Sequence, residues 1–226
     1  MHRVDIHSHI LPGVDDGAAS IEETLAMLQG AKQAGFEAVI ATPHLKRIDA
    51  DINRIREAYQ SAKPLFAAQG LDLYLGFECH YRLLLDWQPA ALRPFCLGGG
   101  NVLLLEFPWN GLPLQWERSI NELQKLGLEI VIAHPERYAP VQADQSIAVR
   151  MVQIGCELQL SAGSLTGGLF SKERACALGL LKAGLIHYLA SDAHGAADYP
   201  AYAWVNTKYG HLISGGALLN TFGDQV

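Results

Sequence analysis

The chain has 226 residues, half of them hydrophobic and 18% charged, enough apolar material for one large domain or two small ones and too little charge for disorder. Its 17 Lys and Arg against 23 Asp and Glu give a net charge of −6, which argues against a nucleic-acid surface but not against an anionic substrate, because bound metal ions can reverse the local field. No apolar run approaches the roughly 20 residues that span a bilayer, and no charged-then-apolar leader opens the chain, so the expectation is a cytoplasmic protein that is not integral to a membrane.

The first apolar run, Val4–Ile6, has strand character and ends in a segment dense with donors, HSHILPGVDDGA. Helical periodicity follows at Ile21–Ala34, with Ser20 and Glu23 spaced as a capping box and Gly35 placed to end the helix. A strand at Ala38–Thr42 closes on His44. A helix at Ile52–Ala68 leads to a strand at Leu73–Phe77 that closes on Glu78. Val102–Phe107 reads as a strand carrying Glu106 near its end, followed by a helix at Leu114–Leu126 and by Gly127. Ile130–Ala133 is a strand closing on His134, and a helix at Ser146–Ile154 and a strand at Leu158–Leu160 come next. A helix at Lys172–Ala183, with Gly184 behind it, precedes the last strand, His187–Ala190, beyond which stand Asp192 and His194. Near-continuous apolar strands alternating with helices predict a parallel sheet covered by helices. Seven strands without a linker or repeat predict a single domain over residues 1–226. A closed barrel is expected, with an open doubly wound sheet as the alternative.

The ligand-type side chains fall at six strand ends, nearly all of them carboxyl ends. In a βα barrel those ends meet on one face, where active sites are assembled from several strands. His7 and His9, two apart on an extended segment, project to the same side and can reach one ion. Asp192 and His194 repeat that spacing. Eight or nine mixed nitrogen and oxygen donors are too many for one tetrahedral zinc; they suit two or three divalent ions such as manganese, iron or zinc. Each residue taken alone has a plainer reading. A strand-end histidine is commonly structural, Glu106 could pair with a buried arginine, and Asp15 and Asp16 could be turn and cap residues. Six such coincidences together favour the metal reading. His2, His80, His187 and His211 stay outside it: His187 begins its strand and belongs on the opposite face, and His80 belongs at the rim. Cys79, Cys96, Cys156 and Cys176 show no C-x-x-C spacing and read as small core residues.

Taken in order, HSHILPGVDDGA, ATPH, FE, EFP, AHPERY, LQLSAGSLTG and SDAH resemble the polymerase-and-histidinol-phosphatase (PHP) superfamily. They are more closely similar to its bacterial tyrosine-protein phosphatase branch, which accompanies capsule and exopolysaccharide synthesis. The resemblance implies an α/β fold, a distorted (β/α)7 TIM-like barrel, and three divalent ions, taken here as manganese with iron and zinc as alternatives. It implies a first ion on His7, His9, Glu78 and Asp192. A second would use Glu78 as a bridge with Glu106 and His134, and a third Asp16, His44 and His194, with Asp15 as the neighbouring alternative to Asp16. Arg137 would bind phosphate. One departure stands out: the family often has an arginine shortly after SD-x-H, whereas SDAHGAADYPAYAW has none, which leaves Tyr199 or another residue in that neighbourhood.

The expected activity is metal-dependent hydrolysis of a phosphomonoester, phosphotyrosine on a protein, by in-line attack of an activated water. A phenolate, with a conjugate pKa near ~10 against ~15.7 for water, leaves with little protonation; His44 or a water is the candidate proton source. Thiol-based tyrosine phosphatases carry Arg six positions after the nucleophilic Cys. Here those positions hold Leu85, Val102, Ala162 and Lys182. A nucleotide-binding GxxxxGK[ST] loop and a G-x-S-x-G elbow are also absent. Two alternatives keep the fold: a small phosphoester substrate such as histidinol phosphate, or an inactive kinase-binding scaffold. Lys46, Arg47 and Arg54, in LKRIDADINR, would either form an ordinary solvated face or attract an acidic phosphopeptide. The resemblance implies as partner a membrane-associated bacterial tyrosine kinase.

Overall fold

The computed structural model describes residues 3–47, 49–86, 89–168 and 170–215; His2 lies outside them. Among the described residues, strands β1 (Val4–Ser8), β2 (Ala38–Ala41), β3 (His44–Leu45), β4 (Asp72–Leu75) and β5 (Glu78–His80) occupy the first part of the chain. Strands β6 (Val102–Glu106), β7 (Glu129–Ala133), β8 (Cys156–Ser161) and β9 (Tyr188–Ala190) follow. Between them run helices α1 (Ile21–Gln33), α2 (Ile52–Ala68), α3 (Leu83–Asp86), α4 (Trp116–Lys125), α5 (Ala139–Ala143), α6 (Ser146–Gln153) and α7 (Lys172–Lys182), and α8 (Asp198–Tyr209) comes after β9. The result is an α/β fold with two parallel sheets, β1-β2-β4 and β3-β5-β6-β7-β8-β9.

The sequence predicts seven strands; there are nine among the described residues because two of the seven are broken. Pro43 interrupts the run that becomes β2 and β3, since it has no N–H to give to a ladder. Gly76 interrupts the run that becomes β4 and β5. A Cβ there would lie 2.7 Å from Leu97 Cδ2 and 2.9 Å from Leu97 Cα, so only glycine lets the chain pass. Across both breaks the same neighbours persist, with Gly76 N donating to Ala41 O at 2.8 Å and Glu78 N to Pro43 O at 3.2 Å. On the other side, Asp192 N donates to His7 O and His9 N to Ala193 O, each at 2.9 Å. These bonds tie the end of β1 to the segment after β9.

Both faces of the strands are buried, which explains their unbroken apolar runs. Val4, Ile6, Ala38 and Ile40 of the first sheet pack with Val102, Leu104, Val131, Ala133, Tyr188 and Ala190 of the second in one inner cluster. A larger cluster lies between strands and helices. Helix α1 illustrates the outer layer. Its buried residues Thr24, Met27, Leu28 and Ala31 recur at helical spacing. The Ser20 side chain accepts from Glu23 N at 3.4 Å, Glu23 Oε2 accepts from Ala19 N at 2.8 Å, and Gly35 ends the helix at φ +88. Helix α8, absent from the expected elements, buries Tyr199, Tyr202 and Val205. Because every strand pair is parallel, the carboxyl ends of β1, β6, β7 and β9 and the starts of β3 and β5, which follow on from β2 and β4, deliver their polar residues to one side.

Candidate metal centre

The centre is built on β1. His7 and His9 bring their Nε2 atoms to 3.2 Å, and each ring is fixed from behind. His7 Nδ1 faces Gln159 Oε1 at 3.1 Å and His9 Nδ1 faces Asp15 Oδ2 at 2.7 Å. With acceptors at Nδ1, a proton is held there and Nε2 is the nitrogen each ring turns toward a ligand, so a bound ion displaces only the Nε2 proton. Gln159 also accepts from His134 N at 3.2 Å, so one amide positions two histidines.

Two carboxylates complete this corner. Glu78 Oε2 lies 3.5 and 3.6 Å from the two Nε2 atoms, and Asp192 Oδ1 lies 3.3 and 3.4 Å from them. Donors bonded at about 2.0–2.1 Å to one tetrahedral ion stand roughly 3.3–3.4 Å apart, so the cage has the size of a cation site. Glu78 reaches further with its other oxygen, to His134 Nε2 at 2.7 Å, with Glu106 Oε1 4.0 Å from the same nitrogen. His44 Nδ1 lies 2.6 Å from Glu78 Oε2, yet the two atoms are not aligned as a hydrogen bond; two buried polar atoms facing each other in this way suit a shared cation. Asp16, more exposed, lies 3.3 Å from His44 Nε2 and 3.5 Å from His194 Nε2. Four donor groups overlap: His9-Asp16-His44-His194, His7-His9-Asp192, His7-Glu78-His134 and His44-Glu78-Glu106.

The backbone is strained where it delivers these donors. His134 has φ +32 and Asp192 φ +50, and among the described residues they alone, apart from glycines, have positive φ. Such conformations cost on the order of 1–3 kcal/mol and persist only where the surroundings impose them. Electrostatics tells the same story. Burial opposes charge on the imidazoles, but the carboxylates outweigh it: His7 is raised, and His9 is pushed up to about 10 by Asp15, Asp192 and Glu78. Burial likewise opposes charge on Glu78 and Asp192, yet the histidines hold both well below the usual carboxylate range; Asp15 falls to about 2 through His9. The cage calls for positive charge at its middle.

Arg137 borders the cage. Its Nη1 lies 2.6 Å from Asp192 Oδ2 and its Nε 3.4 Å from Glu173 Oε1. Asp192 Oδ2 also accepts from Ser161 Oγ at 3.0 Å. Ser164 Oγ contacts both Glu173 Oε1, at 2.5 Å, and the buried Glu136, at 2.8 Å.

All nine expected donors, His7, His9, Asp16, His44, Glu78, Glu106, His134, Asp192 and His194, therefore converge, and Arg137 joins them. Of the aspartate pair, Asp16 faces the histidine cluster, whereas Asp15 stands behind His9 and accepts from His44 N and Gly17 N. His80 stays at the rim, its Nδ1 accepting from Arg82 N at 3.1 Å. His187 lies on the opposite face, where its Nδ1 accepts from Leu158 N at 3.1 Å. Tyr199 requires a correction. It is fully buried and its hydroxyl meets Ser8 Oγ at 3.0 Å, so it is a core residue out of reach of phosphate. Arg47 is paired with Asp49, and Arg54 donates to Gly13 O, so both rim cations have structural duties, while Lys46 lines the hollow beside Asp16 and His44. The four cysteines are free and buried. Sequence reasoning missed Gln159, Ser161 and Trp109. A glutamine inside the apolar strand LQLS is the one signal that could have shown the first.

Comparison with known proteins agrees with this geometry. A family model described as capsular polysaccharide synthesis, CpsB/CapC, matches residues 3–212. The tyrosine-protein phosphatase YwqE of Bacillus subtilis (strain 168) is 33% identical over 196 residues, 84% of this chain and 77% of its own length. A crystal structure from the study of YwqE and Streptococcus pneumoniae CpsB, described as metal-dependent tyrosine phosphatases, superposes with a TM-score of 0.81 at 29% identity, covering 98% of this chain and 91% of that one. A histidinol phosphatase candidate from Listeria monocytogenes shares the fold, with a TM-score of 0.56 at 13% identity over 87% of this chain and 97% of that one. The match along nearly the whole described chain carries the conclusion: this protein belongs to the CpsB/CapC family of capsular polysaccharide synthesis.

Proposed function

We propose that the chain is a metal-dependent phosphomonoesterase that removes phosphate from tyrosine on a protein, with a membrane-associated bacterial tyrosine kinase of a capsule or exopolysaccharide system as that protein. The carrying observation is the shared Asp192 carboxylate, one oxygen turned to His7 and His9 and the other to Arg137. It sets a cation cage and a guanidinium side by side, as phosphoryl binding requires. The relatives named above support the tyrosine reading. In the same proposal, His7, His9, Glu78 and Asp192 hold one ion, Glu78, Glu106 and His134 a second, and Asp16, His44 and His194 a third. Manganese is the expected metal and the cytoplasm the expected compartment. The bonds from Gly76 N to Ala41 O and from Glu78 N to Pro43 O, which carry the β2–β4 pairing on into β3–β5, and those from the end of β1 to the segment after β9 support reading the two sheets as one distorted (β/α)7 barrel forming a single domain.

Ions bound in this cage supply the acidity that activates a water near neutral pH and positive charge opposite the transferring oxygens. The protein supplies the rest. Gln159 and Asp15 hold the imidazoles of His7 and His9 in the tautomer that presents Nε2. Arg137, steadied by Asp192 and Glu173, keeps donors free for phosphoryl oxygens. Both His44 nitrogens face carboxylates, which suits a ligand better than an acid, and a phenolate leaves without strong protonation.

Phosphate release from a phosphotyrosine peptide and from histidinol phosphate, with and without manganese, tests this for the wild type and His9→Ala. The expected result is a manganese-dependent preference for the peptide that His9→Ala abolishes. A clear preference for histidinol phosphate, or equal rates from the variant, overturns it.

A further inference from the structure

Trp109 lies on the loop that leaves β6, on the face that carries the metal centre. The residue is 52% exposed, so one face of its ring is open to a ligand at the site. An exposed side chain is ordinarily free to rotate, but this one is held at both ends. Trp109 O accepts from Ala139 N at 2.7 Å, and the indole Nε1–H donates to Glu106 Oε1 at 2.9 Å. Pro108 before it fixes its own φ and so limits the path of the loop into Trp109. The ring centroid lies 6.0 Å from Arg137 Cζ, and the His134 ring meets it edge-on with centroids 6.4 Å apart. A fixed, half-open aromatic wall thus stands beside both the phosphate-binding guanidinium and a candidate ligand carboxylate.

We propose that Trp109 is a specificity-determining residue, the wall against which the aryl ring of a phosphate monoester stacks. This rests on the phosphomonoesterase reading above and extends it from the phosphoryl group to the leaving group. The aryl carbon is only two bonds from phosphorus, so a phosphoryl group on Arg137 brings its ring beside the indole. Aromatic pairs attract at centroid separations of about 4.5–7 Å, and a wall already immobilised loses little entropy on binding. An alkyl phosphate of equal charge fills the phosphoryl site equally well and gains nothing from the wall. The preference belongs to the ring, not to the N–H, whose duty is to hold the indole and Glu106 in place.

The test compares ratios, which cancel any general loss of activity. In the manganese-loaded protein, kcat/KM is measured for phenyl phosphate and for butyl phosphate, and calorimetry gives the affinities of benzylphosphonate and pentylphosphonate, which keep the same two-bond spacing. Trp109→Leu removes ring and donor; Trp109→Phe keeps the ring and removes the donor. The aryl-to-alkyl ratio is expected to fall about tenfold in Trp109→Leu, about 1.4 kcal/mol, and to stay within about threefold of wild type in Trp109→Phe. An unchanged ratio in Trp109→Leu overturns the proposal, and so does an equal fall in both variants. If the wild type releases no phosphate from a phosphotyrosine peptide, the proposed activity fails, while the phosphonate affinities still decide the role of Trp109.

Discussion

Asp192 and Arg137 meet at 2.6 Å between Oδ2 and Nη1, and that contact couples the candidate cation cage to the guanidinium proposed to bind phosphate. Asp192→Asn removes the charge that both sides need. Metal content and turnover are both expected to fall at least a hundredfold. Ser161→Ala, which takes away only the hydroxyl that orients the same oxygen, is expected to cost about tenfold in metal affinity or turnover, as such supporting groups do. Metal analysis with steady-state kinetics measures both; a Ser161→Ala loss as large as that of Asp192→Asn would contradict this division of roles.

Gly17 explains part of the DDGA run. A Cβ there would stand 1.9 Å from the His9 carbonyl oxygen and 2.5 Å from His9 Cβ, so the chain can pass under His9 only without a side chain. Gly17→Ala leaves every donor present but shifts His9. Displacements of about 1 Å can cost a hundredfold in rate, and a loss of about that size is expected, with reduced metal content. Wild-type rates would show that His9 tolerates movement.

Removing the ions leaves the carboxylates and protonated imidazoles to balance one another. At a metal concentration a hundredfold above the dissociation constant, binding stabilises by about 2.7 kcal/mol. A chelator should therefore lower the melting temperature by roughly 5–10 °C for a chain of this size. An unchanged melting temperature would speak against bound ions.

Metal uptake should also release protons. His9 sits at about 10 without ions, so it is charged at pH 7 and must lose its proton to ligate. The sign follows from linkage. The charged ring stabilises the metal-free fold in full below its ordinary value of about 6.5, and that stabilisation fades as pH rises through about 10. Apparent metal affinity should accordingly weaken about tenfold per displaced proton for each pH unit of acidification. Calorimetry in buffers of different ionisation enthalpy reads the proton count; a count of zero would contradict the prediction.

The thiols should be bystanders. Burial pushes Cys96 up to about 11, Cys156 and Cys176 to about 12, and Cys79 well above its ordinary value. Thiolate is the reactive form, so iodoacetamide at neutral pH should leave the native protein unlabelled and active. Loss of activity with labelling of one cysteine would reopen thiol catalysis.

The donors were legible in the sequence because parallel strands force their carboxyl ends together; six polar strand ends needed no side-chain geometry to be grouped. The breaks at Pro43 and Gly76 were not, since a single apolar run conceals where a ladder skips a residue. Tyr199 misled for a related reason. Its place after SDAH brings it near the site in sequence, but helix α8 turns it into the core beneath Ser8. Gln159 and Trp109 stayed hidden because their contacts, Gln159 with His7 and His134 and Trp109 with Glu106, form only in the folded chain.

Anomalous diffraction at the manganese edge, from crystals soaked in manganese, tests the central claim most directly. The account predicts scattering peaks within bonding distance of His7, His9, Glu78 and Asp192, and others among Glu106, His134, Asp16, His44 and His194. Crystals that diffract well yet give no anomalous density among these nine side chains would contradict it.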